Sequence, residues 1–117
     1  KVAVYSEVPN IDTVGACIGQ RGARIKNIVD ELNGERIDIV EWKPVVEEFV
    51  SAVLSPAVVS NVTILEDGTA RVLVEPSQLS LAIGKNGQNA RLAARLTGMR
   101  VDIKVIDNET LKEEENE

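Results

Sequence analysis

The sequence predicts an α+β fold made of two small related units in tandem. Each unit is expected to be a three-stranded sheet with helices packed on one face, and the first unit is truncated at its amino-terminal side. Two observations predict this fold. The order short helix, glycine loop, helix, terminating glycine, strand occurs twice at an offset of about 65 residues. Only the second copy is preceded by a further helix and two strand-like segments. With 117 residues and 44% hydrophobic content, the chain can form a packed core.

The first unit, residues 1–43, opens with a strand-like segment at residues 2–5. Asp12 or Thr13 can cap a short helix that ends at Ile18, because their side-chain oxygens accept from free backbone N–H groups at a helix start. Compared with the second unit, this unit lacks a leading helix and strand. We therefore expect the chain to be a fragment of a longer protein.

The second helix of the first unit follows Gly22. Its apolar residues recur at helical spacing and predict one buried stripe: Ile25, Ile28, Val29 and Leu32. Gly34 is expected to cap the end of this helix. Residues 36–41 then largely alternate polar and apolar side chains, which predicts a half-buried strand.

The second unit, residues 44–106, begins with an amphipathic helix predicted from Pro44, since proline suits a first helical turn. Two β-rich segments follow, at residues 58–65 and 69–75. They are joined through Asp67-Gly68, a pair that suits a hairpin turn. The unit should therefore start with a helix and an antiparallel pair of strands.

The second unit continues with a short helix that starts at Pro76 and Ser77. Its apolar side is expected to consist of Leu79, Leu81, Ala82 and Ile83. The helix after Gly87 should end at Gly98, and residues 99–106 should form the closing strand. Residues 107–117 are acidic, and we expect them to be disordered.

Charge is distributed unevenly along the chain. The net charge is −6, which by itself argues against a polyanionic partner. Residues 107–117 contain six acids and one lysine, a net charge of −5, so the remainder carries only −1. Residues 13–29 and 76–101 hold seven of the 13 basic residues and none of the 19 acids. The chain thus contains two basic windows although its net charge is negative.

Several classes of protein are excluded or disfavoured by composition. The chain has no histidine, and Cys17 is its only cysteine, so an internal disulfide or a Cys/His zinc site cannot form. We expect Cys17 to be a buried small residue. No metal, cofactor or catalytic residue is predicted, and the protein is not expected to be an enzyme. Apolar runs are too short for a membrane span, so a cytoplasmic location is expected.

A Gly-x-x-Gly loop lies in each basic window and is expected to open a helix. The two loops are Gly19-Gln20-Arg21-Gly22 and Gly84-Lys85-Asn86-Gly87. Such a turn presents unpaired backbone N–H groups and the positive end of the helix dipole, which together attract an anion. Glycine at both ends allows a sugar-phosphate chain to approach the backbone closely.

Side chains in and after these loops are the candidate contacts. The candidate RNA-binding residues are Gly19, Gln20, Arg21, Gly22, Arg24, Lys26, Gly84, Lys85, Asn86, Gly87, Gln88, Asn89 and Arg91. Ile18 and Ile83 precede the first glycine of each loop and are the candidate walls of a groove for bases. One Gly-x-x-Gly is weak evidence, because it is usually a turn between helices. Two copies in matching surroundings favour function.

These motifs resemble the K homology (KH) domain, whose Gly-x-x-Gly loop clamps four nucleotides of backbone. The order helix, strand, strand, helix, helix, strand is similar to the type II arrangement. More narrowly, residues 78–98, QLSLAIGKNGQNARLAARLTG, resemble the second KH domain of the NusA family of bacterial transcription factors. Residues 14–19 and 34–40 resemble the first KH domain of that family. One departure is Met99, where the family usually has tryptophan.

The resemblance implies a tandem KH pair that holds single-stranded nascent RNA. It also implies a role in transcription elongation, pausing, termination and antitermination. RNA polymerase and other transcription factors would be partners through parts of the parent protein that precede this chain. No membrane partner is expected, and the chain is expected to be a monomer.

Other interpretations remain open at this stage. The loops could be degenerate and the chain a protein-interaction scaffold whose acidic tail docks a basic partner. A nucleotide-binding enzyme is disfavoured, since no Walker lysine follows the second glycine of either loop. Trp42 follows a strand and precedes Pro44, which favours packing between the units over a platform for stacking bases.

Overall fold

The computed structural model describes residues 1–106 and contains the predicted repeat. Residues 107–117, on which the predicted acidic tail falls, lie outside the described residues. In chain order the strands and helices are β1 Val2–Val4, α1 Thr13–Ile18, α2 Ala23–Glu31, β2 Ile39–Glu41, α3 Val46–Val53, β3 Asn61–Ile64, β4 Ala70–Val74, α4 Leu79–Ile83, α5 Gln88–Thr97 and β5 Val101–Val105. A short 3₁₀ turn at each glycine loop connects α1 to α2 and α4 to α5.

The first unit is a two-stranded parallel sheet followed by a helix pair. β1 pairs with β2 in a register that sets Val2 opposite Ile39. Asp12 caps α1, because its Oδ1 accepts from the Gly15 N–H at 3.0 Å. With only β1 as a partner, this sheet has two strands, as the predicted truncation requires.

Two boundaries in the first unit differ from the sequence expectation. α2 ends at Glu31, three residues before Gly34, and the chain then turns through two left-handed residues, Asn33 and Gly34. The Gly34 N–H still donates to the Val29 carbonyl at 2.8 Å, so this glycine closes the helix end from two residues after the C-cap, Leu32. The strand predicted from residue 36 begins only at Ile39, because β1 offers partners to three residues.

The second unit has the complete order helix, strand, strand, helix, helix, strand. β4 is central, antiparallel to β3 and parallel to β5. The predicted hairpin turn is confirmed: the Thr69 N–H donates to Asp67 Oδ1 at 2.9 Å, and Gly68 has a φ of +86°. The Thr69 N–H also lowers the pKa of Asp67 by stabilising its carboxylate.

The core is one continuous cluster that draws on both units. It consists of Val40, Val50, Val53, Leu54, Ala57, Ala70, Val72, Val74, Ala82 and Ala93. Only Val40 comes from the first unit, where it is 3% exposed, and neither α1 nor α2 contains a fully buried residue. β2, which carries Val40, contacts α3 of the second unit, so the burial of Val40 depends on the second unit.

Four side chains lie elsewhere than the sequence suggested. Trp42 contacts Tyr5, with ring centroids 5.3 Å apart, and is 42% exposed, so it packs within the first unit. Cys17 is half-buried rather than fully buried. Leu81 and Ile83, expected on the apolar side of α4, are exposed, while Ala82 is the residue of that helix that enters the core. Leu79, three residues before Ala82 and on the same face of α4, is half-buried against the same cluster.

Candidate nucleic-acid interface

The two glycine loops share one backbone conformation. The first glycine has φ and ψ of 80° and 173° in Gly19 and of 79° and 167° in Gly84. The third loop residue is left-handed in both, with φ of 56° at Arg21 and 57° at Asn86. The second glycine is left-handed as well and is the residue directly before α2 or α5. The sequence repeat is thus a repeat in geometry.

At the first position of each loop, the helix that follows lies so close that only glycine fits. A Cβ on Gly84 would lie 2.7 Å from the backbone nitrogen of Asn89, and one on Gly19 would lie 3.0 Å from that of Arg24. A φ near +80° with a ψ near 170° is, in addition, a region occupied almost only by glycine. These glycines bring the loop and the helix into contact.

The second glycine of each loop has space around it. A Cβ on Gly22 or Gly87 would have no neighbour closer than 3.9 Å and 3.8 Å, respectively. A side chain at either position would therefore not clash with the protein. Its absence leaves the backbone of the loop uncovered on the outer side. A backbone of another molecule can approach there.

Arg24 and Asn89 occupy equivalent positions, five residues after the first glycine. Arg24 Nη1 donates to the Ala16 carbonyl at 2.7 Å. Asn89 Nδ2 donates to three carbonyl oxygens, those of Leu54 at 3.0 Å, Ala82 at 3.1 Å and Leu81 at 3.3 Å. Both side chains tie the helix after the loop to the helix before it.

This arrangement changes what Asn89 is expected to do. Its amide group is half-buried and has three carbonyl acceptors for two hydrogens, so no donor is left for a phosphate. The structure makes Asn89 a positioning residue. Arg24 keeps further N–H groups at an exposed position and retains both roles.

Arg91 forms a hydrogen bond to the backbone of the second loop. Its Nη2 donates to the Asn86 carbonyl at 2.9 Å, while its side chain remains exposed. Lys26 takes the equivalent position in the first unit and is exposed too. The middle residues of both loops are all exposed, as is the first residue of α5: Gln20, Arg21, Lys85, Asn86 and Gln88. The structure thus leaves most of the candidate donors accessible.

The charges of the loops are not neutralised locally. Among residues 1–106, ion pairs join Lys1 to Asp38, Lys43 to Glu41 and Lys104 to Asp102. None of these pairs involves a basic residue of a loop or of the helix after it. The cations of both basic windows are therefore free to attract an anion.

The candidate groove residues differ in exposure. Ile83 is 39% exposed beside the second loop, and its neighbour on α4, Leu81, is 47% exposed. Ile18 is half-buried beside the first loop. The second loop therefore has the more accessible apolar surface for a base.

The sequence matches two family models over the same segments that carry these loops. Residues 1–42 match the NusA-like first KH domain, and residues 46–111 match the NusA-like second KH domain. The chain belongs to the NusA-like KH domain family. The predicted fold, two type II KH domains in tandem, is confirmed, and the first unit has a two-stranded sheet.

Curated NusA relatives support this membership. The "Transcription termination/antitermination protein NusA" of Halalkalibacterium halodurans is 53% identical over 105 residues, and that of Bacillus subtilis is 51% identical over 105. The protein of the same name from Mycobacterium tuberculosis is 52% identical over 106 residues. Each match covers 89% of this chain, which spans only 28% to 30% of the relatives' length.

One solved structure has a similar fold. The crystal structure of APE1850 aligns with a TM-score of 0.64 at 28% sequence identity, covering 77% of this chain and 70% of that one. No helix within residues 1–106 is long and apolar enough to cross a membrane. In the same residues, no cluster of three or more metal-ligating side chains is found.

Sequence reasoning missed one feature of the NusA-like pair. A cavity of about 240 Å³ lies at the junction of the units, next to the second loop. Its lining residues are Lys1, Arg36, Asp38, Pro56, Leu81, Gly84, Lys85, Gln88, Asn89 and Leu92. Because three of them come from the first unit, only the three-dimensional arrangement of the units could reveal this site.

Proposed function

We propose that this chain binds single-stranded RNA without catalysis, through its two Gly-x-x-Gly loops. One observation carries the proposal: two loops with the same backbone conformation, each bare on its outer side, open helices whose exposed cations have no carboxylate partner within residues 1–106. An unpaired donor surface of this kind suits a phosphate backbone. Membership in the NusA-like KH family supports the same ligand.

The wider role follows from the relatives. We infer that the parent protein acts in transcription elongation, pausing, termination and antitermination, with nascent RNA as the ligand of this pair. RNA polymerase and other transcription factors would bind parts of that protein outside this chain. A monomeric state, a cytoplasmic location and independence from cofactors belong to the same proposal.

The test is RNA binding by fluorescence anisotropy with each loop changed to Gly-Asp-Asp-Gly. Gln20→Asp with Arg21→Asp, and Lys85→Asp with Asn86→Asp, each change the net charge by −3. We expect each change to weaken binding of a 12-nucleotide single-stranded RNA of random sequence about tenfold or more at ~0.1 M salt, with a shallower salt dependence.

A control of equal charge separates loop contacts from general electrostatics. Lys43→Asp with Ser60→Asp also changes the net charge by −3, at a cleft lined by neither loop. Binding by this control should fall much less than by the loop variants. If all three variants bound equally, or if the acidic loops left affinity and salt dependence unchanged, the loops would not clamp RNA. A scaffold with degenerate loops would then be the better interpretation.

A further inference from the structure

A cleft of about 520 Å³ lies at the end of the β1–β2 sheet. One wall is the loop of residues 5–12, which joins β1 to α1, and the other is the segment of residues 41–48, between β2 and the first turn of α3. Its lining includes Tyr5 and Trp42, so it is called the aromatic cleft below. None of its lining residues belongs to a Gly-x-x-Gly loop or to the helix after one. The aromatic cleft is therefore separate from the proposed RNA contacts.

Two of the three aromatic residues of the chain lie together at this surface. Tyr5 is 63% exposed and Trp42 is 42% exposed, although their rings are in contact. The Trp42 N–H donates to the Val4 carbonyl at 2.8 Å, which fixes the tryptophan backbone at the end of the sheet. Exposed aromatic side chains held in a defined position are typical of binding surfaces, because they offer a large contact area at a small entropic cost.

The loop of residues 5–12 adds aliphatic side chains to the same surface. Its eight residues make a connection that residues 75–78 make with four in the second unit. Val8 and Ile11 in this loop are 58% and 49% exposed and line the cleft. The Val8 N–H donates to Ser6 Oγ at 3.0 Å, so part of the loop is held by its own turn. The longer loop is thus an addition to the repeated fold that displays apolar residues.

The aromatic cleft differs from the surface that a leading helix would cover in a complete first unit. In the second unit, α3 contacts β4 and α5, whose equivalents in the first unit are β1 and α2. The exposed apolar residues of this other surface are Val2 on β1, Ile28 on α2 and Leu32 directly after α2. The aromatic cleft begins at Tyr5, past the end of β1, and is a separate surface.

Charge indicates what kind of molecule the aromatic cleft binds. Glu41 and Glu48 line it, and Glu41 is paired with Lys43 at 3.4 Å. Among residues 1–106, no basic group lies within 4 Å of the Glu48 carboxylate. Glu7 and Glu47, which neighbour lining residues along the chain, are exposed as well. An apolar surface with this acidic rim repels a phosphate backbone and attracts a cationic partner.

Arginine is the side chain that best fits this combination. Its guanidinium stacks on an aromatic face and donates to a carboxylate at the same time, and Trp42 and Glu48 line one cleft. In an extended peptide, the side chain two residues away points to the same side. An aliphatic residue there can lie against Val8 and Ile11. The cleft volume falls within the roughly 300 to 1,000 Å³ of ligand pockets, which is enough for two such side chains.

We propose that the aromatic cleft binds an extended, arginine-bearing segment of a partner protein. One arginine of this segment stacks on Trp42 and pairs with Glu48, and an aliphatic residue two positions away packs on Val8 and Ile11. This inference goes beyond the proposed function, because it assigns a protein ligand to a second site. Since the two sites share no residue, the chain can hold RNA and the peptide segment together.

Trp42 allows a direct test, because it is the only tryptophan of the chain. The intact chain is titrated at ~0.1 M salt with the peptide Gly-Ser-Arg-Ser-Leu-Ser-Arg-Ser-Gly, which has no aromatic residue, while tryptophan emission is followed. A saturable change in emission is expected. A peptide with lysine in place of both arginines should bind about threefold or more weakly, since an ammonium stacks less well on an indole. A peptide with serine in place of leucine should also bind about threefold or more weakly.

Two pairs of variants separate the cleft from general attraction. Glu48→Gln should weaken binding of the arginine peptide about threefold or more, whereas Glu35→Gln, which removes an exposed carboxylate outside the cleft, should have little effect. Tyr5→Ala should weaken it about fivefold or more, whereas Val58→Ala, at a 67% exposed position outside the cleft, should not. Circular dichroism melts check that each variant is folded, and Glu48→Gln keeps the test decisive if Tyr5→Ala is not.

The remaining outcomes concern other occupants. A 12-nucleotide single-stranded RNA should leave Trp42 emission and peptide affinity unchanged. If the RNA rather than the peptide changed the emission, the cleft would stack bases and the inference would be wrong. It would also fail if no peptide gave a saturable change, or if Glu48→Gln and Glu35→Gln had equal effects. A dimer of the intact chain in analytical ultracentrifugation that Tyr5→Ala abolished would make a second copy the occupant instead. None of these results bears on RNA binding by the glycine loops, which the anisotropy assay tests separately.

Discussion

At the scale of single residues, equivalent positions in the two loops connect the same pair of helices through different side chains. Arg24 and Asn89 both bond to a carbonyl of the helix before the loop, at Ala16 and Leu81. Both lie five residues after the first glycine of a loop, but their side chains differ in charge and length, so the repeat does not predict their shared role. The positions of the glycines and the basic residues were predictable from the sequence. The inward orientation of Asn89 was not, because it depends on the carbonyl of Leu54, which is close in space but 35 residues away along the chain.

The glycines allow a prediction about stability. Gly84→Ala should destabilise the protein by roughly 3 kcal/mol or more, because it adds a contact with the Asn89 backbone to a conformation that only glycine adopts readily. Gly98→Ala, at a φ of +70° with nothing within 4 Å of the new Cβ, should cost only about 1 to 2 kcal/mol. Urea unfolding followed by circular dichroism measures both. Equal losses would mean that the contact with α5 does not matter.

Gly87 allows the same comparison for binding. Gly87→Ala has nearly the same backbone conformation as Gly98→Ala and, like it, no close neighbour, so both variants should lose about 1 to 2 kcal/mol of stability. Only Gly87→Ala puts a methyl group on the outer side of the loop. We expect it to weaken RNA binding in the anisotropy assay while Gly98→Ala binds as the unaltered chain does. Equal binding by the two variants would contradict an RNA backbone passing over this glycine.

At the scale of elements, the sequence predicted the existence and order of helices and strands better than their ends. The hairpin between β3 and β4 and the cap of α1 were predictable, because each depends on neighbouring residues such as Asp67 and Asp12. The start of β2 was not, because the three residues of β1 determine how far pairing extends. The exposure of Leu81 was also hidden, since it depends on how α4 lies against the sheet.

The contact between three helices is testable through Asn89. Its amide joins α5 to the ends of α3 and α4. Asn89→Ala should cost about 1 to 3 kcal/mol, because the part-buried carbonyls of Leu54 and Ala82 each lose one hydrogen bond. Arg24→Ala removes one exposed bond and should cost less than 1 kcal/mol. Denaturant unfolding gives both values, and a smaller loss for Asn89→Ala than for Arg24→Ala would refute the positioning role.

At the scale of the whole molecule, the two units share one hydrophobic core but contribute unequally to it. Val40 is the only buried core residue of the first unit, and its strand, β2, contacts α3. The Lys1 side chain adds a second link, through its bond to Ser55. We therefore expect the two units to be coupled in folding.

Dividing the chain tests this coupling directly. Residues 44–106 contain all but one of the buried core residues and a complete three-stranded sheet, so this piece should fold alone with a cooperative thermal transition. Residues 1–43 have one such residue and lie near the size limit of about 40 residues below which a domain needs cross-links or partners. We expect this piece to show no cooperative transition by circular dichroism, whereas the intact chain should unfold in a single step. A first unit that folds on its own, or two separate transitions in the intact chain, would mean that the units are independent in folding.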